Sequence, residues 1–319
     1  MAVHTFAELR TRRTVLQGLG AIAAGATAVS LTRGRLAAQA GHAAGHSSGR
    51  VPPGIRFGVQ LNAFPIDPHR FDTFLDALRE VRQVGYQGFE SSFRNVGGQF
   101  DHPEPARRSI EQSGLTFFGI HIFFPNEGYD PKTHIAAPSV YEPVARGGAA
   151  LGAQHLILSG APCKDGAALQ RKIEALNAAG RFARSAGLTA AYHNHWWEFQ
   201  SKIGPGGTSE IEALYTQTDP ALVSFLLDAG HAYHGGADVP AFIRAHAHRI
   251  IAFHLRDYRD GRLVTLGTGT FPLRQVAETI REIHWHGWVE NEEERDNHSQ
   301  TGLEVIAPAF KAMKEAFTA

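Results

Sequence analysis

The sequence predicts an α/β protein, a closed (β/α)8 barrel of parallel strands over residues 55–319. Three observations predict it. From Ile55 onward, short runs rich in Val, Ile, Leu and Phe alternate with longer segments of helical periodicity. Eight strands can be counted, each paired with a helix. About 265 residues carry them, close to the roughly 250 residues usual for such a barrel. An open doubly wound sheet is the competing architecture. No Gly-x-Gly-x-x-Gly turn follows the first strand, so a nucleotide-binding version of that sheet has no support.

Taken in order, strands are expected at Arg56–Leu61, Gly88–Ser91, Thr116–Ile122, His155–Ser159, Thr189–His193, Val223–Asp228, Ile250–Arg256 and Trp288–Glu292. Helices are expected between them, from Arg70–Val84 to Leu303–Phe317. Leu75, Leu78 and Val81 recur at helical spacing, and Gly85 supplies the stop. Gly267-Thr268-Gly269-Thr270, after the seventh strand, reads as a loop.

Residues 1–40 read as an export signal rather than as fold. Arg12-Arg13 precedes a mildly apolar stretch, Gly18 to Leu31, and a small-residue run, Leu36 to Ala40, ends it. The paired arginines resemble the twin-arginine type, which implies a periplasmic or exported protein. A membrane anchor is the alternative, but the stretch is rich in Gly and Ala and short of the ~20 apolar residues that span a bilayer. No later segment approaches a span, so no stable membrane span is expected in the mature chain. Residues 41–54, with Gly, Ser, His and Pro, read as a flexible linker.

Composition excludes several classes. The whole chain is balanced in charge; without residues 1–40, 26 basic side chains face 30 acidic ones. That leaves no basic excess for nucleic acid. The one cysteine, Cys163, rules out an intrachain disulfide and a cysteine-rich zinc site. No apolar stripe demands a partner, although barrels of this kind often form homodimers.

In such a barrel, function sits at the C-terminal ends of the strands, and polar residues collect there. Strand two ends at Glu90 and strand three runs through His121. Strand five leads into Tyr192-His193-Asn194-His195-Trp196-Trp197-Glu198-Phe199, and strand six into Asp228-Ala229-Gly230-His231. Strand seven runs His254-Leu255-Arg256-Asp257, and strand eight Glu290-Asn291-Glu292. One such histidine would be an ordinary core or surface residue; its recurrence on several strands is hard to explain by packing. Side chains alternate along a strand, so His193 and His195 share a face, as do His254 and Arg256, and Glu290 and Glu292. Carboxylates and imidazoles converging there would hold one divalent ion, Mn²⁺, Co²⁺, Zn²⁺ or Mg²⁺. Asp228 can instead be a helix N-cap, and Trp196 and Trp197 either core or an apolar wall for a sugar ring.

These segments, in this order on the expected strands, resemble the xylose isomerase-like TIM barrel family of sugar phosphate isomerases and epimerases, inosose dehydratases and endonuclease IV. Phe57-Gly58-Val59-Gln60-Leu61 and Gly287-Trp288 add to the match. The resemblance implies one divalent ion held by an acid from strand five, Asp228, His254 and a glutamate from strand eight. Glu292 fits the last position, with Glu290 as runner-up. Strand five departs, since His193 stands where many relatives have glutamate. Either His193 or His195 ligates, or Glu198 curls back to supply the acid; Glu198 is the favoured choice. His193, His195 and Glu292 are the candidate acid–base groups. Glu90, His121, Trp197, His231 and Arg256 are the candidate substrate contacts.

The function expected is a metal-dependent isomerase or epimerase that removes a proton next to the carbonyl of a keto-sugar or cyclitol. A dehydratase or 3-keto-glycoside lyase on the same site is the alternative. An endonuclease IV-like nuclease is disfavoured because Asp257-Tyr258-Arg259 lacks the expected Asp-x-His pair. A noncatalytic periplasmic sugar-binding module would not need the Asp-His-Glu set.

Overall fold

The computed structural model describes residues 51–294 and 302–318. The expected export signal, and all of the expected linker except residues 51–54, lie outside the described residues. Eight strands form a closed barrel: β1 Ile55–Gln60, β2 Gly88–Ser92, β3 Thr116–Ile122, β4 His155–Ser159, β5 Thr189–His193, β6 Val223–Asp228, β7 Ile250–Leu255 and β8 Gly287–Asn291. Each pairs in parallel with its neighbours in sequence, and β1 closes the ring on β8, from Ile55 opposite Gly287 to Val59 opposite Asn291. All eight expected strands are present. Their ends move by at most one residue, within the fraying expected of any boundary.

Helices cover the outside. The first, α1 (Phe71–Val84), buries Phe74, Ala77, Leu78 and Val81, the face that its periodicity marks out. It stops at Gly85, whose φ of 109° a residue with a Cβ would adopt only under strain. Among the described residues, no helix is long and apolar enough to cross a membrane.

Alternation along the strands divides the apolar residues into two groups. Leu156 and Leu158, Phe225 and Leu227, Phe253 and Leu255 belong to the large core under the helices. Residues of opposite phase, Phe118, Ile157, Ala191, Leu226, Ala252 and Trp288, form a second, smaller cluster. A closed barrel has only two faces, so this cluster fills the interior as its floor. Two residues further along five of these strands stands a polar side chain of the same phase: Ser159, His193, Asp228, His254 and Glu290. The interior is thus apolar below and ionisable above.

Past β7, a short antiparallel ribbon (Asp257–Arg259 with Arg262–Val264) leads into the loop around Gly267. That stretch is the loop expected, wrapped around one carboxylate. Asp257 accepts hydrogen bonds from the backbone N–H groups of Tyr258, Gly267, Gly269 and Phe271 at 2.8–3.0 Å. A Cβ on Gly269 would lie 2.2 Å from Asp257 Oδ1, so glycine is what permits the close approach.

Candidate metal centre

Strand phase brings four expected residues together. His193, Asp228, His254 and Glu292 each offer one ligand atom, all within 4.8 Å of one another, and all four side chains are buried. His193 Nε2 lies 3.2 Å from Glu292 Oε2 and 3.5 Å from Asp228 Oδ2, and His254 Nδ1 lies 2.6 Å from Glu292 Oε2. Two carboxylates and two imidazoles form a mixed oxygen–nitrogen donor set that fits a borderline or hard divalent ion.

Glu198 does not join them. It lies on a short helix, α2 (Trp197–Gln200), directly after β5. Its Oε1 accepts from the Tyr192 hydroxyl at 2.7 Å and its Oε2 from the backbone N–H of His195 at 2.9 Å. Tyr192 is one residue out of phase with His193 and faces the helices, and it holds Glu198 on that side. Burial pushes the Glu198 carboxyl up to about 7, with Lys172 opposing and Glu210 adding. His193 therefore occupies the strand-five position that Glu198 was expected to fill.

Asp228 serves two purposes. Oδ1 accepts from the backbone N–H of His231 at 2.7 Å and caps α3 (Ala229–His234), while Oδ2 faces His193 and Arg256. Cap and ligand were alternatives in the sequence, and one carboxylate has an oxygen for each. Asn194, inside the strand-five motif, clasps the Asp228 backbone: Asp228 N–H donates to Asn194 Oδ1 at 3.0 Å, and Asn194 Nδ2 donates to Asp228 O at 3.1 Å.

Arg256 is buried against three carboxylates, Asp228, Glu292 and Glu294. Burial alone would raise the Asp228 carboxyl, but Arg256, His231 and His193 hold it well below the usual range. Glu292 is held down the same way, by Arg256 and His254 against burial. His193 is raised to about 9: burial lowers it, and Asp228 and Glu292 outweigh that.

Other expected residues sit deeper than a substrate contact. His121 Nδ1 lies 2.6 Å from Glu90 Oε1, and both side chains are fully buried. Ser159, which the sequence did not single out, links His121 Nε2 (2.8 Å) to His193 Nδ1 (3.3 Å). The chain Glu90–His121–Ser159–His193 thus orients the ring at the centre, as outer partners of a metal-bound histidine commonly do.

The mouth is lined by His195, Trp197 and His231. The Trp197 and His195 rings stack at 4.1 Å and 10°. The His195 and His231 centroids are 5.1 Å apart, and the Tyr258 hydroxyl fixes His231 Nδ1 at 2.8 Å. His195 Nδ1, Trp197 Nε1 and His231 Nε2 are buried without a hydrogen-bond partner. Burial, with Arg256, lowers His231 to about 3. Burial, with His231 and His193, lowers His195 as well. Both shifts favour the neutral imidazole. Tyr258 could not be found from strand phase, since it belongs to the ribbon beyond β7.

A closed parallel barrel with its polar residues gathered at the C-terminal mouth defines an α/β-barrel protein with its site in the usual place. The chain belongs to the xylose isomerase-like TIM barrel family, whose sequence profile matches residues 78–316. It is 26% identical to the inosose dehydratase of Bacillus licheniformis over 273 residues, 75% of this chain and 87% of that one. Its fold is similar to a sugar phosphate isomerase/epimerase from Parabacteroides distasonis (TM-score 0.66, 21% identity, 83% of this chain and 96% of that one). It is also similar to the IOLI protein crystallised with a zinc atom (TM-score 0.65, 16% identity, 82% and 98%). At those identities the two structures speak for the fold alone.

Proposed function

We propose that this protein is a divalent-metal-dependent sugar isomerase or epimerase that removes a proton next to the carbonyl of a keto-sugar or cyclitol. The observation that carries the reading is the convergence of His193, Asp228, His254 and Glu292 at the strand ends. An ion held by these four would supply Lewis acidity to adjacent carbonyl and hydroxyl oxygens of the substrate.

The remaining work falls to the chain's own groups. His195 and His231 are neutral imidazoles, each with one buried nitrogen free of protein partners. One takes the substrate proton and becomes the imidazolium that returns it; delivery to the opposite face requires the other ring to have taken up a proton from solvent beforehand. Trp197 holds the His195 ring by stacking and offers its indole N–H to a substrate hydroxyl. Arg256 is engaged by three carboxylates, so its role is to balance them rather than to grip substrate.

Return of the proton to the neighbouring carbon isomerises, and return to the opposite face epimerises. The inosose dehydratase relative favours a second reading, in which the same deprotonation expels a β-hydroxyl or a glycosidic oxygen. Both readings are tested by incubating metal-loaded protein with keto-sugars and ketocyclitols in D₂O. The expected result is deuterium next to the carbonyl by NMR. An epimer or ketose–aldose pair supports the first reading, an unsaturated product the second. No exchange across the panel sinks both.

The arginine pair Arg12-Arg13 and the small-residue run to Ala40 support export before the protein meets a nonphosphorylated sugar. Mass spectrometry of periplasmic protein should find an N-terminus near residue 41. A full-length chain confined to the cytoplasm would overturn this.

A further inference from the structure

We propose that a second divalent cation binds deeper in the barrel, held by Glu90, Glu290 and Nε2 of His254. The proposal rests on the metal centre above only in sharing His254, which presents a different ring nitrogen to each group.

The three side chains come from β2, β8 and β7, and all are fully buried. Their inward-facing atoms lack hydrogen-bond partners: Glu90 Oε2, both oxygens of Glu290, and His254 Nε2. Leaving such atoms unpaired in a dry interior is costly. The spacing suits an ion. His254 Nε2 lies 3.4 Å from Glu90 Oε2 and 3.6 Å from Glu290 Oε2, near the edge of a tetrahedron with bonds of ~2.0–2.1 Å. The second oxygen of Glu90 is occupied by His121 Nδ1 at 2.6 Å, which aims the first at the gap.

Two glycines keep room for these carboxylates. A Cβ on Gly58 of β1 would lie 2.9 Å from Glu290 Oε1, and one on Gly119 of β3 would lie 3.4 Å from Glu90 Oε2. Charge points the same way. Glu90, Asp228, Glu290 and Glu292 are four fully buried carboxylates, and the guanidinium of Arg256 is buried among them. One dication beside Arg256 leaves one net negative charge among these groups, and a second, bridged to the first by a His254 imidazolate, brings them to neutrality. Buried charges persist when paired in this way. With an ion on each ring nitrogen, His254 bridges them as an imidazolate, its remaining N–H proton passing to solvent.

The test is zinc stoichiometry of the full chain, by elemental analysis and native mass spectrometry after zinc loading and removal of excess. Wild type should carry two ions per chain. Glu290→Gln and Glu90→Gln should each carry one. A single ion in wild type, or two ions retained in Glu290→Gln, overturns the proposal. A single ion that Asp228→Asn abolishes and Glu290→Gln keeps leaves the centre at the mouth standing while the deeper one falls. No ion at all overturns both. Should the variants fail to fold, anomalous diffraction at the zinc edge from wild-type crystals decides, two peaks in support and one against.

Discussion

Arg256 donates from Nε to Oδ2 of Asp228 at 2.6 Å, on the opposite side of the carboxylate from the oxygen that caps α3. The two oxygens therefore do separable work. Asparagine is as good a cap as aspartate but carries no charge for a metal ion. Asp228→Asn is expected to keep the barrel folded, melting below wild type because its amide NH2 faces the Arg256 donor, and to lose in calorimetric titration the ion bound at the mouth while keeping the deeper one. Asp228→Ala should also lose the cap, costing ~1 kcal/mol in urea unfolding. Unchanged affinity in Asp228→Asn would remove Asp228 from the ligand set.

Glu198 makes a prediction about pH. Its carboxyl is pushed from the ordinary 4.5 up to about 7, with burial the largest cause. Between those values the folded chain keeps a proton that the unfolded chain has released. The contribution of this group to stability therefore falls as pH rises from about 4.5 to 7. Glu198→Gln removes that slope and can keep hydrogen bonds to Tyr192 and His195. Urea denaturation at pH 5 and pH 8 should show the variant gaining on wild type at the higher pH. Parallel pH profiles would show that Glu198 is ionised in the fold.

Asp257 takes four backbone N–H groups within one loop. Asp257→Ala leaves them without an acceptor, and hydrogen bonds to a charged group are worth ~1.5–3 kcal/mol each. Some of the orphaned groups will reach water, so a loss of about 3 kcal/mol or more is expected. Amide exchange should accelerate over residues 265–271 before it does in the strands. Retained protection there would mean that the glycine turns hold the loop unaided.

Trp197 stacks on His195 at the mouth. Trp197→Ala removes the stacking surface and the indole N–H, and an aromatic pair of this kind is worth ~0.5–1.5 kcal/mol beyond its buried area. KM for the substrate found in the exchange screen should rise about tenfold, with Trp197→Phe in between. A KM unchanged in Trp197→Ala would place the sugar elsewhere.

The barrel was legible because the signals that make it are local. Apolar runs of strand length alternate with segments of helical periodicity, one of them stopped by Gly85, and strand alternation marks His193, Asp228, His254 and Glu290 as sharing a phase with the interior. Other features depend on where the chain goes after it leaves a strand. Glu198 was expected to curl back to the metal position, and it does turn back, but toward the helix side, because α2 begins at Trp197 and Tyr192 holds its carboxylate there. Ser159 gave no signal, since a serine between two imidazoles is visible only once β3, β4 and β5 lie side by side.

What the sequence by itself determined is the order of strands and helices and the ionisable side chain at each strand end, because period and phase are properties of consecutive residues. What only the tertiary structure decided is how those side chains divide. Glu290 and Glu292 share a phase, yet barrel closure sets Glu290 near Glu90 and Glu292 against His193 and Arg256. Closing the ring sets each strand's height relative to its neighbours, and that stagger decides which charges meet.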